Sequence, residues 1–214
     1  MSQSTVHNQS TPEAKQADFG GVDTKARGHH VDRPAPANRL DAPPAGPTTF
    51  AAALNTALAD SMASNPDVVV FGEDVGKLGG VFRITDGLQD RFGKDRCFDT
   101  PLAESGIAGM AVGMAMNGLR PVIEMQFDAF AYPSLEQVFS HIAKMHNRTK
   151  GKVRLPITIR IPYAGGVGGV EHHCDSSEGY YAHTPGLKVF TPSGVEDAYS
   201  MLREAIDSDD PVIF

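Results

Sequence analysis

The stretch Asn65-Pro-Asp-Val-Val-Val-Phe-Gly-Glu-Asp-Val75 decides the fold. Asn65-Pro66 stops whatever precedes it, because the residue before a proline is pushed out of helical geometry. Residues 68–71 are then unbroken, apolar and mostly β-branched. A run that short suits a strand buried on both faces, as strands of a parallel sheet are. Upstream, Phe50, Ala53, Leu54, Ala57, Leu58 and Met62 recur at helical spacing behind a threonine that can cap the first turn. Downstream comes a Gly-rich loop over 72–80, followed by a helical stretch over 84–92, a strand over 96–99 and a small-residue helix over 102–117. A strand over 121–127 precedes a helix presenting Leu135, Val138, Phe139, Ile142 and Met145 on one face. The pass ends with a strand over 156–162, a Gly-rich loop to Ser177, a strand over 187–190, a helix after Ser193 and a strand over 211–214. Such alternation implies an α/β fold, with a mostly parallel sheet and helices on both faces.

Composition divides the chain near Pro47. Residues 1–47 hold six of the 15 prolines and only Met1, Val6, Phe19, Val22, Val31 and Leu40 as large apolar side chains. That is too little to offset the entropy of ordering them, so this segment reads as a disordered Pro/Ala/Gly-rich leader before a folded domain over 48–214. The leader's charges balance, which puts the formal net charge of −7 on the folded part. An acidic domain is poorly suited to neutralising nucleic-acid phosphates or an anionic membrane. Two cysteines, Cys97 and Cys174, in a chain this long indicate a reducing compartment, and a cytoplasmic location is expected. No apolar run approaches the roughly 20 residues of a membrane span, and no secretory signal opens the chain. Because the last apolar run meets the end of the sequence without a turn, the expectation is a fragment of a longer protein.

In open parallel sheets ligands gather beyond the carboxyl ends of the strands, which points to 72–80, 100–105, 126–132 and 164–177. In Asp99-Thr-Pro-Leu-Ala-Glu104, Thr100 can cap a helix, Pro101 suits its first position, and Glu104 falls in the first turn. Position alone allows Glu104 to be a charge that complements the helix dipole. The helix that follows, with Gly106, Gly109 and Gly113 among alanines, favours close approach of another helix, in this or another subunit. In Tyr163-Ala-Gly-Gly-Val-Gly-Gly-Val-Glu-His-His-Cys-Asp-Ser-Ser177, glycines precede a titratable cluster. Its residues are adjacent and lack CxxC or HxxxH spacing, so no metal site is assigned. Cys174 has no activating signature, which leaves a histidine handling protons or an anionic substrate against a merely solvated loop. His141 and His146 do not share a helix face and read as surface or interface residues, and Phe130 and Tyr132 read as core or interface aromatics. Neither nucleotide fingerprint, GxGxxG or GxxxxGK[ST], is present.

Several phrases together resemble the β subunit of 2-oxo acid dehydrogenase decarboxylases, the thiamine-diphosphate components of the branched-chain and pyruvate complexes. They are Phe71-Gly-Glu-Asp-Val75, Gly79-Gly-Val-Phe-Arg83, Asp99-Thr-Pro-Leu-Ala-Glu104, Gly118-Leu-Arg-Pro121, Ala182-His-Thr-Pro-Gly-Leu-Lys188 and Pro211-Val-Ile-Phe214. The resemblance runs from about residue 48 to 214 and covers the family's transketolase-like pyrimidine-binding domain, without the C-terminal domain that normally follows. It implies a catalytic role for Glu104, which matches the glutamate that hydrogen-bonds the cofactor's aminopyrimidine and promotes its imino tautomer. It implies that Phe130 stacks on that ring, with Leu102 and Gln126 beside it. His173 aligns with a histidine credited with substrate binding and reductive acylation of the lipoyl group, whereas His172 has no counterpart.

The resemblance also implies partners. Thiamine-diphosphate enzymes hold Mg²⁺ through a Gly-Asp-Gly motif that this sequence lacks, so an α subunit is expected to supply it in an assembly of two α and two β chains. The implied reaction is decarboxylation of a 2-oxo acid and transfer of the acyl unit to lipoyl-lysine on an acyltransferase core. The Val-Glu-His-His-Cys-Asp loop is more similar to bacterial branched-chain members, with pyruvate or acetoin as the alternative substrate class. A noncatalytic assembly module is the alternative of a different kind.

Overall fold

Thr49 opens the first helix in the computed structural model, which describes residues 49–214. Its hydroxyl accepts the Ala52 amide at 3.2 Å, and α1 runs Phe50–Ser64. Such a cap contributes about 1 kcal/mol. The leader expected over 1–47 lies outside the described residues.

After Asn65-Pro66, β1 (Val68–Gly72) is buried along its whole length. It pairs in parallel with β2 (Cys97–Asp99) on one side and β3 (Arg120–Glu124) on the other. The sheet continues through β4 (Thr158–Arg160), β5 (Lys188–Val189) and β6 (Val212–Ile213), in the order β2-β1-β3-β4-β6-β5 with every pairing parallel. Alternation along β1 sorts its side chains to two faces. Val68 and Val70 join Val122 in a core with α1, α2 (Leu88–Phe92) and α6 (Val195–Asp207), while Val69, Phe71 and Ile123 join the core built with α3 (Glu104–Met116). Each such side chain stabilises the fold by about 1.5–3 kcal/mol on full burial. On the first face α1 packs along α6, and the Tyr199 hydroxyl of α6 donates to Asp60 of α1 at 2.9 Å.

Two buried arginines stitch the strands. Arg120 spends its guanidinium on the Ile206 and Ser208 carbonyls, at 2.9 and 2.5 Å, and so satisfies acceptors that the end of α6 leaves without helical partners. Arg160 pairs with Glu124, its directly opposed neighbour on β3, with both side chains nearly fully buried.

Three expectations need correction. The helix expected through Leu135 and Met145 is divided into a 3₁₀ helix (Ala129–Ser134), a π helix (Gln137–Ile142) and α4 (Met145–Arg148). Pro133 lacks an amide to donate, and the wider turn is closed by the Ala143 amide on Val138 O at 2.9 Å. Thr100 does not cap α3. Its amide reaches Gly72 O at 2.9 Å, keeping the chain extended past β2, and the helix begins only at Glu104 with Ala103 at its N-cap. A short helix, α5 (Glu178–Ala182), interrupts the stretch expected to run as loop into β5. Strands β4, β5 and β6 are shorter at both ends than the runs that announced them, whereas β3 starts one residue early and stops at Glu124.

Candidate active site

Strands β2, β1, β3 and β4 are consecutive neighbours and all parallel, so the chain segments leaving their carboxyl ends line one edge of the sheet. These segments are the four that the sequence singles out, and such an edge is where open α/β sheets bind ligands.

The segments after β1 and β2 make an acidic corner. Glu73 is 8% exposed and its Oε1 is buried with no hydrogen-bond partner. Burial, then the charge of Glu104, then that of Asp74 raise its pKa above the usual glutamate range. Glu104 is half-buried at the first position of α3, where the helix dipole favours an anion. The next residue anchors this turn: the Ser105 hydroxyl donates to the Pro133 carbonyl. Thr100 Oγ1 is buried without a partner in the same connection. Asp74 adopts a left-handed φ of 57° and accepts the Gln126 side-chain amide at 3.0 Å. Gln126 is thereby joined to the acidic corner. Leu102 is 80% exposed and joins neither the core nor the corner.

The segments after β3 and β4 make an aromatic wall. Phe127 meets Phe82 edge-on at 5.5 Å and Phe130 at 5.6 Å between ring centres. The His173 imidazole packs on both, 4.5 Å from Phe127 and 5.1 Å from Phe130, and His172 lies tilted 6.1 Å from Phe130. His173 Nδ1 sits 2.8 Å from Glu171 O and 3.1 Å from Val170 O. Carbonyls only accept, so Nδ1 is a nitrogen that carries a proton, and Nε2 is the ring nitrogen they leave uncommitted. The glycines upstream have a local reason. A Cβ at Gly169 would stand 2.8 Å from the Cβ of His173, closer than such atoms approach.

The structure therefore brings Glu104 to Glu73, Gln126 to Asp74, and Phe130 to His173, and leaves Leu102 pointing to solvent. Sequence reasoning missed Glu73, Phe82 and Phe127, although Glu73 and Phe82 stand inside the quoted phrases. His141 and His146 are engaged away from this edge, with Arg148 and with the Val153 carbonyl. Among the described residues, no group of three His, Cys, Asp or Glu side chains is arranged to hold a metal ion, and no helix is long and apolar enough to cross a membrane.

The sequence pattern of the family described as transketolase, pyrimidine binding domain, matches residues 47–214. The chain belongs to the transketolase pyrimidine-binding domain family. Among relatives of this pyrimidine-binding domain, the 3-methyl-2-oxobutanoate dehydrogenase subunit beta of Mycobacterium tuberculosis is 58% identical over 166 residues, which are 78% of this chain and 48% of that protein. The pyruvate dehydrogenase E1 component subunit beta of Leifsonia xyli is 54% identical over 162 residues, covering 76% and 48%. The pyrimidine-binding domain thus spans about half the length of the curated relatives it matches. Among solved structures, a split gene transketolase described as an inactive beta4 tetramer shares the fold, with a TM-score of 0.61 at 23% identity over 75% of this chain and 48% of that one.

Proposed function

We propose that this chain is the pyrimidine-binding part of the β subunit of a thiamine-diphosphate-dependent 2-oxo acid dehydrogenase decarboxylase of the branched-chain type. The observation that carries the reading is the corner shared by Glu73 and Glu104. A buried carboxyl oxygen without a partner, a second carboxylate beside it and the Phe130 ring on the adjoining wall suit a flat ring with polar edges, as an aminopyrimidine is. Thiamine diphosphate, when bound, would supply an acidic thiazolium carbon and an aminopyrimidine.

The chain's own residues then divide the work. Glu104 holds a proton at a ring nitrogen. Burial, then the Glu104 and Asp74 charges, hold Glu73 above the usual glutamate range, so its ionised form is disfavoured in this corner. Gln126 has its amide nitrogen committed to Asp74, and Oε1 is the atom it offers to an amino group. Phe130 contributes an apolar face. His173 presents Nε2 to take up or return a proton during acyl transfer.

We assign the Mg²⁺ of the diphosphate to an α subunit, since no Gly-Asp-Gly occurs in the sequence. An assembly of two α and two β chains would deliver the acyl unit to lipoyl-lysine of an acyltransferase core. The exposed face of α3, where Gly106 and Gly113 stand with Met110 and Met116, suits a contact in that assembly. Pyruvate is the second reading for the substrate, favoured by the 54% identity to a subunit named for it.

The test is Glu104→Gln in full-length β assembled with α. An amide keeps the shape without carrying the proton, and positioned acid–base groups contribute roughly 10²–10⁴-fold, so a loss of at least about a hundredfold in decarboxylation is expected. A Glu104 that only complements the helix dipole would cost up to about 1 kcal/mol of stability and little activity. A variant that assembles, binds thiamine diphosphate and keeps more than about a tenth of its rate overturns the reading.

A further inference from the structure

The loop carrying His173 has little to hold it by apolar burial. Its glycines contribute no side chains, Val167 and Val170 are 54% and 83% exposed, and Ala164 and His172 take left-handed φ of 65° and 68°. Its base is closed by the Ala164 amide on Asp175 O at 2.8 Å. What fastens it to the rest of the site comes from the segment at the start of the 3₁₀ helix. The Tyr132 hydroxyl donates to Asp175 Oδ2 at 2.7 Å. Asp128 accepts the Ser177 amide on Oδ2 at 2.7 Å and the Ser177 hydroxyl on Oδ1. Asp128 and Ser177 are 2% and 1% exposed, so a carboxylate has been buried to make these two bonds. Hydrogen bonds to a charged group in a dry environment are the strong kind.

We infer that Asp128 and Tyr132 are positioning residues that latch the 164–177 loop and so fix the His173 imidazole against Phe127 and Phe130. Each holds a residue within four positions of His173, Tyr132 through the Asp175 carboxylate and Asp128 through the Ser177 amide and hydroxyl. The two grips are independent, one on the Asp175 side chain and one on Ser177, and both originate from the segment that also supplies Phe127 and Phe130. Ring and wall are therefore held to one another through a single short stretch of chain. The hydrogen bond to Asp175, with burial second, keeps the Tyr132 hydroxyl protonated well above the ordinary tyrosine range, so it remains a donor. The catalytic consequence rests on the proposed thiamine-diphosphate chemistry, where a displacement of about 1 Å at a reacting group can cost roughly a hundredfold.

The test takes full-length β assembled with α and compares Tyr132→Phe, which removes one oxygen, with Asp128→Asn, which keeps the shape and removes the charge. Amide exchange across 164–177 is expected to quicken about tenfold or more in each, the size expected for losing a hydrogen bond to a charged group. Reductive acylation of lipoyl is expected to fall by about tenfold in kcat, with KM for the 2-oxo acid and thiamine diphosphate affinity held within about twofold. Unchanged exchange in both variants overturns the latch. Faster exchange with acylation kept within twofold overturns the positioning role. A wild-type assembly without turnover overturns the proposed function instead, and leaves the exchange measurement to decide the latch.

Discussion

Removing one partner of the Glu124–Arg160 pair should be among the most damaging changes to stability in this domain. The two side chains are 3% and 4% exposed, stand directly opposite across β3 and β4, and leave Arg160 Nε buried with no acceptor even in the intact pair. Glu124→Gln strands the guanidinium charge at a place water does not reach, and breaking a pair of this kind costs about 3–5 kcal/mol. For a domain of 150–250 residues each kcal/mol lowers Tm by roughly 2–4 °C, so a fall of about 6–20 °C is expected. Urea denaturation of wild type, Glu124→Gln, Arg160→Met and the double variant Glu124→Leu/Arg160→Met measures it, with an unchanged m-value confirming that the native and unfolded states are comparable. Replacing both partners by apolar groups removes the stranded charge, so the double variant should be more stable than either single one. A Glu124→Gln loss under about 1 kcal/mol, or a double loss equal to the sum of the singles, would refute the reasoning.

Glu73→Gln should raise stability at neutral pH. The carboxyl is harder to ionise in the folded chain than in the unfolded one, so its ionisation draws stability down as pH climbs past the ordinary glutamate range, and the amide removes that slope. Denaturation from pH 4 to 8 checks this; parallel curves for the two proteins would count against it. Gly169→Ala should impair lipoyl acylation much as His173→Ala does, because its Cβ would displace the imidazole, whereas Gly165→Ala meets open space and should be silent. Equal effects from the two glycine variants would show that loop flexibility is what matters. The Cys97 thiol, pushed up to about 12 by burial first and by Asp99 and Glu124 next, should resist alkylation at pH 8 until the protein unfolds. Mass spectrometry of native and denatured samples distinguishes the cases.

Where one local pattern governs an element, the chain could be read directly. Val68 to Phe71 alternate between two cores, so an unbroken apolar run meant a strand covered on both sides. The order of strands and helices then led to the right sheet edge, and four segments picked by that logic do line it. The start of α3 was misplaced because Thr100 and Pro101 are good helix-opening residues locally, and only the bond from the Thr100 amide to Gly72, set by the pairing of β1 with β2, keeps them extended. Pro133 was visible, yet its effect on turn width was not. Asp128 meets Ser177 across 49 positions and Tyr132 meets Asp175 across 43, and no spacing rule joins residues so far apart on different connections. Glu73 drew no notice since nothing in its neighbours' identities reveals that its carboxyl is buried facing another.

The packing of α1 along α6 sets a timetable for the chain as it is made. The bond from Tyr199 to Asp60 spans 139 positions, and the apolar stripe of Leu54, Leu58 and Met62 has no α6 to lie on until those positions have been translated. At about 5–20 residues per second the ribosome needs roughly 7–28 s to cover that distance. During this interval the apolar faces of α1 and the Val-rich β1 are made without the α6 side chains that cover them in the folded domain. Slowing elongation between α1 and α6 is therefore expected to increase aggregation even though the finished sequence is unaltered.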